Sequence, residues 1–351
     1  MKTQRISSTD RSIQLSLIRV LACAGIVVLH TVFAANEYFI DSVTPAQNLA
    51  SRIAEDNMMW AVPLFLMVTG ALQLDTSREL TWKKLFRKYV NRVLGALIVF
   101  SVLFRLFDII MDGEAFSLYS LLAVSLREFI TGKGWGHLWY LYLLLGIYML
   151  LPFFRMVILR CSDRDLLYLA CIYCVFNSVI PCVEGFGINI AFYISESLIY
   201  PLYLLLGYML REKRLKLTRP AAAVMLAVST AGIAALDVLK YSGGAEVPSV
   251  FFGYSSPLVI MQSAGLFALM ISAEDKSLAS VRRAVSAVDV HTFGIYLIHM
   301  VFVRLLFKYM RFDPYQGPAA LLLALCVAAF FALSLAAAFI LRKAPVFRKI
   351  L

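Results

Sequence analysis

The chain has 351 residues, of which 61% are hydrophobic and only 16% are charged, and its mean hydropathy is +0.79. This composition excludes an ordinary soluble domain and is typical of a polytopic membrane protein. The net charge of +11 does not indicate nucleic-acid binding, because most Lys and Arg residues lie in short loops between apolar segments, where they set the topology.

Apolar runs long enough to cross a bilayer, at about 20 residues each, recur along the whole chain. Ten of them are predicted, near residues 15–35, 57–74, 89–111, 137–159, 165–183, 193–210, 220–239, 251–271, 291–310 and 318–341. The shorter stretch from Phe116 to Ile130 is predicted to be an interfacial or re-entrant helix. We therefore predict an all-α, polytopic integral membrane protein with one transmembrane domain over residues 1–351.

The basic residues predict the orientation of these helices. Alternate loops contain most of the Lys and Arg residues, among them the run from Lys83 to Arg92 and the segment from Arg211 to Arg219. Cytoplasmic loops of membrane proteins are enriched in such residues. We therefore expect both termini to be cytoplasmic, including the basic residues Lys2, Arg5 and Arg11.

The cysteines show no pattern of a disulfide framework. They are Cys23, Cys161, Cys171, Cys174, Cys182 and Cys326. Cys171 and Cys174 form a CxxC motif, but the motif lies inside a predicted membrane helix and has no second pair or nearby histidine. We therefore predict no metal site.

The first apolar segment carries two ionisable residues, Arg19 and His30. Eleven residues at about 100° each return to nearly the same face of a helix, with a rise of about 16 Å. Ionisable side chains inside a membrane span are costly and commonly mark a functional site. Two plainer interpretations remain, an arginine that snorkels to the interface and a histidine bonded to a neighbouring helix.

Two more histidines lie in later spans. His137 opens the fourth helix, next to Trp139 and Tyr140, which are typical interfacial anchors and also suit a sugar platform. His299 falls near the middle of the ninth helix, and Tyr296 lies one turn before it. We regard both histidines as candidate site residues.

The entry to the third helix is strongly basic and contains Arg87, Lys88 and Arg92. This run is interpreted either as topogenic charge near anionic headgroups or as a cytoplasmic binding site for a phosphorylated cofactor.

Taken together, these motifs resemble the membrane acyltransferase-3 family. The resemblance is carried by the Arg19 to His30 spacing, by PLFLMVTGALQL in the second helix, by HLWYLYLLLGIYMLLPFFR and by FGIYLIH. It extends over nearly the whole chain and is greatest to the branch typified by the O-acetyltransferase of enterobacterial common antigen. Proteins of this family are bacterial and transfer acyl groups, most often acetyl, onto surface polysaccharides and lipid-linked sugars.

The resemblance implies roles for His30, Arg19 and the basic run, and His137 and His299 match recurring positions of the family's motifs. His30 matches the essential histidine, which acts as a general base or carries the acyl group, and Arg19 matches its partner toward cytoplasmic acetyl-CoA. Arg92 matches the second basic position of the family's pattern at the entry to the third helix, but Tyr89 stands where the family commonly has the first arginine. The implied cofactor contact is therefore either Arg92 alone or Arg92 with Arg87 and Lys88. The implied location is the bacterial inner (plasma) membrane.

Two other classes of function remain open from sequence. A secondary transporter or flippase for a sugar or lipid-linked sugar also needs about ten helices, but it commonly shows inverted repeats and mid-membrane acidic residues. Here Asp108, Glu196 and Asp237 lie toward predicted outer ends, and no repeat is apparent. A glycan polymerase is the third class. The sequence leaves the oligomeric state open.

Overall fold

The computed structural model describes residues 12–192 and 199–351. Among these residues the regular elements are helices, and no strand is present, which confirms the predicted all-α fold. Lys2, Arg5, Arg11, Glu196 and the start of the predicted span 193–210 lie outside the described residues.

Fourteen helices are described in chain order. They are α1 Ile13–Tyr38, α2 Pro45–Asp56, α3 Ala61–Gln73, α4 Trp82–Met111, α5 Leu118–Thr131, α6 Gly136–Arg160, α7 Asp163–Glu184, α8 Ile199–Arg211, α9 Arg219–Tyr241, α10 Ser249–Ile271, α11 Arg282–Asp289, α12 Thr292–Tyr309, α13 Ala319–Leu341 and α14 Pro345–Ile350. Several of the long helices include short π or 3₁₀ turns, such as the π turn Leu85–Val90 in α4.

Eight of these helices are long and apolar enough to cross a membrane, namely α1, α4, α6, α7, α9, α10, α12 and α13. They coincide with eight of the ten predicted spans. The predicted span 57–74 corresponds to α3, which has 13 residues, and the described part of span 193–210 corresponds to α8, also with 13. The total of ten spans and the cytoplasmic termini therefore stay predictions.

The helices form two compact units. The first unit contains the described residues up to Gly25, Asp56–Leu72 and Leu167–Thr292, and the second contains Ile26–Glu55, Gln73–Leu166 and Phe293–Leu351. Helices α1 and α7 each contribute to both units. The single transmembrane domain over residues 1–351 stays a prediction.

The first unit contains a close contact between α3 and α8. A Cβ atom at Gly70 would lie 1.9 Å from the carbonyl oxygen of Leu204, and one at Gly207 would lie 2.0 Å from that of Met67. Since no side chain fits in that space, the two glycines let the helix backbones touch.

In the second unit, Arg155 of α6 holds the loop that precedes α4. Its guanidinium donates to the backbone carbonyl oxygens of Gln73, Asp75 and Arg78, at 2.6, 2.9 and 2.5 Å. Carbonyl groups at the end of a helix lack intrahelical partners, so a multidentate arginine satisfies them. The path of the chain from Gln73 to Arg78 is thereby fixed within the second unit.

Candidate active site

Three of the predicted site residues meet in the second unit, and we call His30, His137 and His299 the histidine cluster. They come from α1, α6 and α12. The ring centroids of His30 and His299 lie 5.0 Å apart, those of His137 and His299 5.5 Å, and those of His30 and His137 6.4 Å. His137 and His299 are buried, whereas His30 is partly accessible.

The hydrogen bonds of the cluster determine where the protons lie on neutral imidazoles. His299 Nδ1 lies 3.2 Å from the carbonyl oxygen of Ile295, and because a carbonyl only accepts, Nδ1 carries the proton. His299 Nε2 is then an acceptor, so His30 Nδ1 donates to it at 2.7 Å. The lone pair of His30 therefore lies on Nε2, the nitrogen outside this chain of hydrogen bonds.

The same argument applies to His137. Its Nε2 lies 3.1 Å from the carbonyl oxygen of Leu297 and so carries the proton. Its Nδ1 is then a bare acceptor, which is buried and has no hydrogen-bond partner among the described residues. Tyr296 positions the same residue, since its hydroxyl donates to the backbone carbonyl of His137. A hydroxyl group entering the site would satisfy His137 Nδ1.

Beside the cluster, Trp135 is held on both faces. The ring of Phe104 stacks on it at 4.2 Å between centroids, and the guanidinium of Arg304 lies 4.0 Å from the ring centroid. Trp135 Nε1 donates to Asp108 at 2.8 Å, and Arg304 donates to the same carboxylate at 3.0 Å. This assembly fixes the turn that carries His137, whose ring centroid lies 6.0 Å from that of Trp135.

Sequence reasoning missed the roles of Trp135 and Arg304, although one signal was present. Arg304 is an ionisable residue inside an apolar segment, the pattern that drew attention to Arg19. Asp108 was noted only as an acidic residue near the end of a span. Its pairing with α12 becomes visible only in three dimensions.

Arg19 lies in the first unit and is paired there. Its Nε and Nη2 donate to the two carboxylate oxygens of Asp289, at 2.5 and 2.6 Å, and Ser16 Oγ donates to the same carboxylate at 2.8 Å. The Asp289 side chain is only 2% exposed. A bidentate arginine–carboxylate pair is strongly directional, so Arg19 is oriented by the protein and does not snorkel as an unpaired cation.

The predicted cofactor cations lie at the start of α4. Arg87 and Lys88 are exposed and belong to its π turn. Arg92 donates to the backbone oxygens of Ile350 and Leu351, and its guanidinium lies 5.3 Å from the ring centroid of Phe293. Arg87 and Lys88 are thus open to an anion, whereas Arg92 already binds backbone oxygens next to α14.

The fold and the site together define a polytopic, all-helical membrane protein with a hydrogen-bonded cluster of histidines among its helices. The chain belongs to the acyltransferase-3 family, since the family model described as an acyltransferase domain matches residues 12–342. No curated protein matches the chain, and no solved structure does. The family assignment therefore depends on a match that spans nearly all of the described residues.

Proposed function

We propose that this protein is a membrane O-acyltransferase. It would move an acetyl or other short acyl group from cytoplasmic acyl-CoA to a hydroxyl of a surface polysaccharide or lipid-linked glycan at the bacterial inner membrane. The family supports acyl transfer. The observation that carries the chemistry is the hydrogen bond from His30 to His299, which directs the His30 Nε2 lone pair away from the protein partner. We also propose that the chain is most similar, within the family, to the branch typified by the O-acetyltransferase of enterobacterial common antigen.

In the proposed reaction His30 acts as the general base. Its Nε2 takes the proton of the acceptor hydroxyl while that oxygen attacks the thioester carbonyl. The new C–O bond forms, the C–S bond breaks, and the departing thiolate takes the proton from His30 to become the CoA thiol. His299 would stabilise the charge that develops on His30 by accepting from its Nδ1.

A second mechanism at the same residue differs by one intermediate. His30 Nε2 would attack the thioester carbonyl itself, so that an N–C bond forms, the C–S bond breaks and CoA leaves as its thiolate. The acyl-imidazole would then pass the acyl group to the hydroxyl oxygen as the N–C bond breaks, and the proton that the hydroxyl gives up balances the thiolate, which becomes the CoA thiol. The same lone pair serves either mechanism. The two are distinguished by whether protein-bound acetyl accumulates when the acceptor is absent.

The cations are proposed to bind the donor. Arg87 and Lys88, with Arg92, suit the phosphates of CoA because charge-assisted hydrogen bonds favour anionic oxygens. Arg19 is proposed to orient the thioester or pantetheine part through the Nη1 donors that lie outside its pairing with Asp289. The competing interpretation of the basic run is topogenic charge.

The proposal is tested by incubating the purified full chain with labelled acetyl-CoA and candidate lipid-linked glycans. We expect acetyl esters on the glycan by mass spectrometry, with equal release of CoA. His30→Ala should lower the rate by about 10²–10⁴-fold, the usual contribution of a general base. Phe33→Ala, which changes an exposed side chain one turn further along α1, is the matched control and should leave the rate unchanged.

Three outcomes would contradict the proposal. A folded His30→Ala protein that transfers acetyl at the normal rate excludes both mechanisms at that residue. Gradient-driven sugar uptake without CoA release would instead indicate the transporter class, and an increase in glycan length without acetyl content would indicate a polymerase.

A further inference from the structure

The start of α6 and one turn of α12 hold each other by two hydrogen bonds that run in opposite directions, and we call this pair of bonds the clamp. His137 Nε2 donates to the carbonyl oxygen of Leu297 at 3.1 Å, and the hydroxyl of Tyr296 donates to the carbonyl oxygen of His137. Both side chains are buried. Because each segment supplies one donor and one acceptor, neither can turn or slide without leaving buried polar groups unpaired, which costs free energy.

The clamp lies next to the residue that accepts the proton of His30. His299 follows Leu297 by two residues on α12, its Nδ1 lies 3.2 Å from the carbonyl oxygen of Ile295, and its Nε2 lies 2.7 Å from Nδ1 of His30. A displacement of His299 by about 1 Å away from His30 would lengthen this contact beyond hydrogen-bonding distance. The position of this turn of α12 therefore decides whether the His30 proton is held.

A second attachment lies on the other side of His299 along α12. The guanidinium of Arg304 lies 4.0 Å from the ring centroid of Trp135, and it donates to Asp108, which also accepts from Trp135 Nε1. Since Trp135 immediately precedes α6, this attachment reaches the same turn as the clamp. The clamp and Arg304 are about 10 Å apart along α12, and His299 lies between them. The helix is thus held on both sides of His299.

The second attachment contributes orientation more than stability. The side chains of Arg304 and Asp108 are 24% and 18% exposed, and the desolvation of such a pair offsets much of its Coulomb attraction. A planar guanidinium that both bonds a carboxylate and stacks on an indole ring is nevertheless confined to one orientation. The arrangement is suited to fixing the register of α12 against the start of α6.

We propose that His137, Tyr296 and Arg304 are positioning residues. They keep His299 where it accepts the proton of His30, and they contact neither the donor nor the acceptor. This inference rests on the proposed acyl transfer and assigns His137 a role that acts through α12. Without a fixed acceptor for its Nδ1 proton, His30 also adopts the other tautomer, in which Nε2 carries the proton and serves as neither base nor nucleophile.

The first test removes single donors of the clamp. Tyr296→Phe and His137→Phe should each lower kcat by about tenfold while both KM values change less than about twofold, because small misplacements of reacting groups are costly. His137→Gln, whose side-chain amide donates, should recover part of the loss. Arg304→Gln should also lower kcat. Tyr142→Phe is the matched control, since it removes a hydroxyl that donates to the carbonyl oxygen of Phe129 at 2.6 Å, and its kcat should be unchanged.

The second test asks whether the clamp acts through His299. In a His299→Phe background the acceptor of the His30 proton is already absent, so adding Tyr296→Phe should change kcat by less than about twofold. Residues that act in one chain of contacts are non-additive in this way. Steady-state kinetics of the two single variants and the double variant provide the comparison.

The third test reads the tautomer of His30 and does not depend on catalysis. The protein is labelled with ¹⁵N in the rings of its four histidines, and His30→Ala identifies the signals of His30. Wild-type protein and Tyr142→Phe should show a protonated Nδ1 and a bare Nε2 at His30. Tyr296→Phe should show a mixture of both tautomers, because His299 is no longer held in place.

The outcomes separate the two levels of inference. A normal kcat or an unmixed His30 tautomer in folded Tyr296→Phe would overturn the positioning role, and so would a full additional loss in the His299→Phe background. A change confined to the KM of the glycan in His137→Phe would show instead that His137 contacts the acceptor. A normal kcat in Arg304→Gln would overturn the second attachment.

Two features keep the test decisive. If His137→Phe does not fold, Tyr296→Phe, which removes a single oxygen atom, decides the result. Wild-type protein that acetylates no glycan would overturn the proposed function, while the tautomer of His30 would still decide whether the clamp positions His299.

Discussion

A backbone carbonyl determines which nitrogen of each buried histidine carries its proton. Ile295 fixes the proton of His299 on Nδ1, and His299 in turn fixes the proton of His30. Sequence identified all three histidines as candidates, because ionisable residues in apolar spans are costly. It could not identify the tautomers of His30 and His137, since these depend on atoms of another helix.

At this scale we predict that His299 acts through His30 and not on the substrate. His299→Phe removes the acceptor of the His30 proton, so kcat should fall by about 10²-fold while the KM values change less than about twofold. His299→Gln, whose side-chain oxygen accepts a hydrogen bond, should restore part of the loss. Steady-state kinetics with acetyl-CoA and glycan measure both parameters.

Two results would disprove this positioning role. One is a His299→Phe protein with normal kcat, and the other is a His299→Gln protein that is no more active than His299→Phe although both are folded. A change confined to the KM of the glycan would instead indicate that His299 contacts the acceptor.

Arg19 illustrates how a partner changes the interpretation of a residue. From sequence, a snorkelling arginine and a site arginine were both open. The bidentate pair with Asp289 supports an oriented cation within the first unit. Asp289 went unnoticed in the sequence because it follows a polar segment, where an aspartate is unremarkable, and it lies 270 residues from Arg19.

At the scale of elements, the contact between α3 and α8 is the clearest example of a feature whose meaning needed the fold. A proline and a glycine in a membrane segment, here Pro63 and Gly70, permit either a kink or close packing of helices. The structure shows close packing, because Gly70 and Gly207 each lie against the backbone of the opposite helix.

We predict that Gly70→Ala destabilises the protein by about 1–3 kcal/mol, the usual cost of overpacking a tight contact. Gly146→Ala introduces the same methyl group into open space and should be neutral or slightly stabilising, since alanine is the better helix former. Thermal unfolding of the two purified variants in the same detergent provides the comparison. Equal midpoint temperatures of unfolding for the two variants would show that α3 and α8 can move apart to accommodate a methyl group at little cost in free energy.

At the scale of the whole molecule, orientation in the membrane is the main untested prediction. The basic loops predict that the loop between α3 and α4 is cytoplasmic and that the loop between α12 and α13 is external. We expect a membrane-impermeant maleimide to label Gln316→Cys in intact cells and to label Ser77→Cys only after permeabilisation. Both positions are exposed.

The parent chain, with its six free cysteines, gives the background labelling. Labelling of Ser77→Cys in intact cells would show that the loop between α3 and α4 is external, opposite to the predicted orientation. It would also place Arg87 and Lys88 on the wrong side for cytoplasmic acyl-CoA.

The sequence by itself determined that the protein is a polytopic membrane protein and located most of the helices long enough to span a membrane. It also identified three histidines as candidate site residues. Length and hydropathy of apolar runs decide whether a helix suits a bilayer, and these are local properties of the chain. Helix α3 was harder, because its length of 13 residues falls below what composition implied.

Only the tertiary structure decided how the site is built. The pairing of His30 with His299, of Asp108 with Arg304 and of Arg19 with Asp289 joins residues 196 to 270 positions apart. Such pairings depend on which helix faces meet, and hydropathy does not specify this when several faces are equally apolar. The sequence therefore indicated which residues are candidates for the site, and only the side-chain contacts between helices showed which of them are paired.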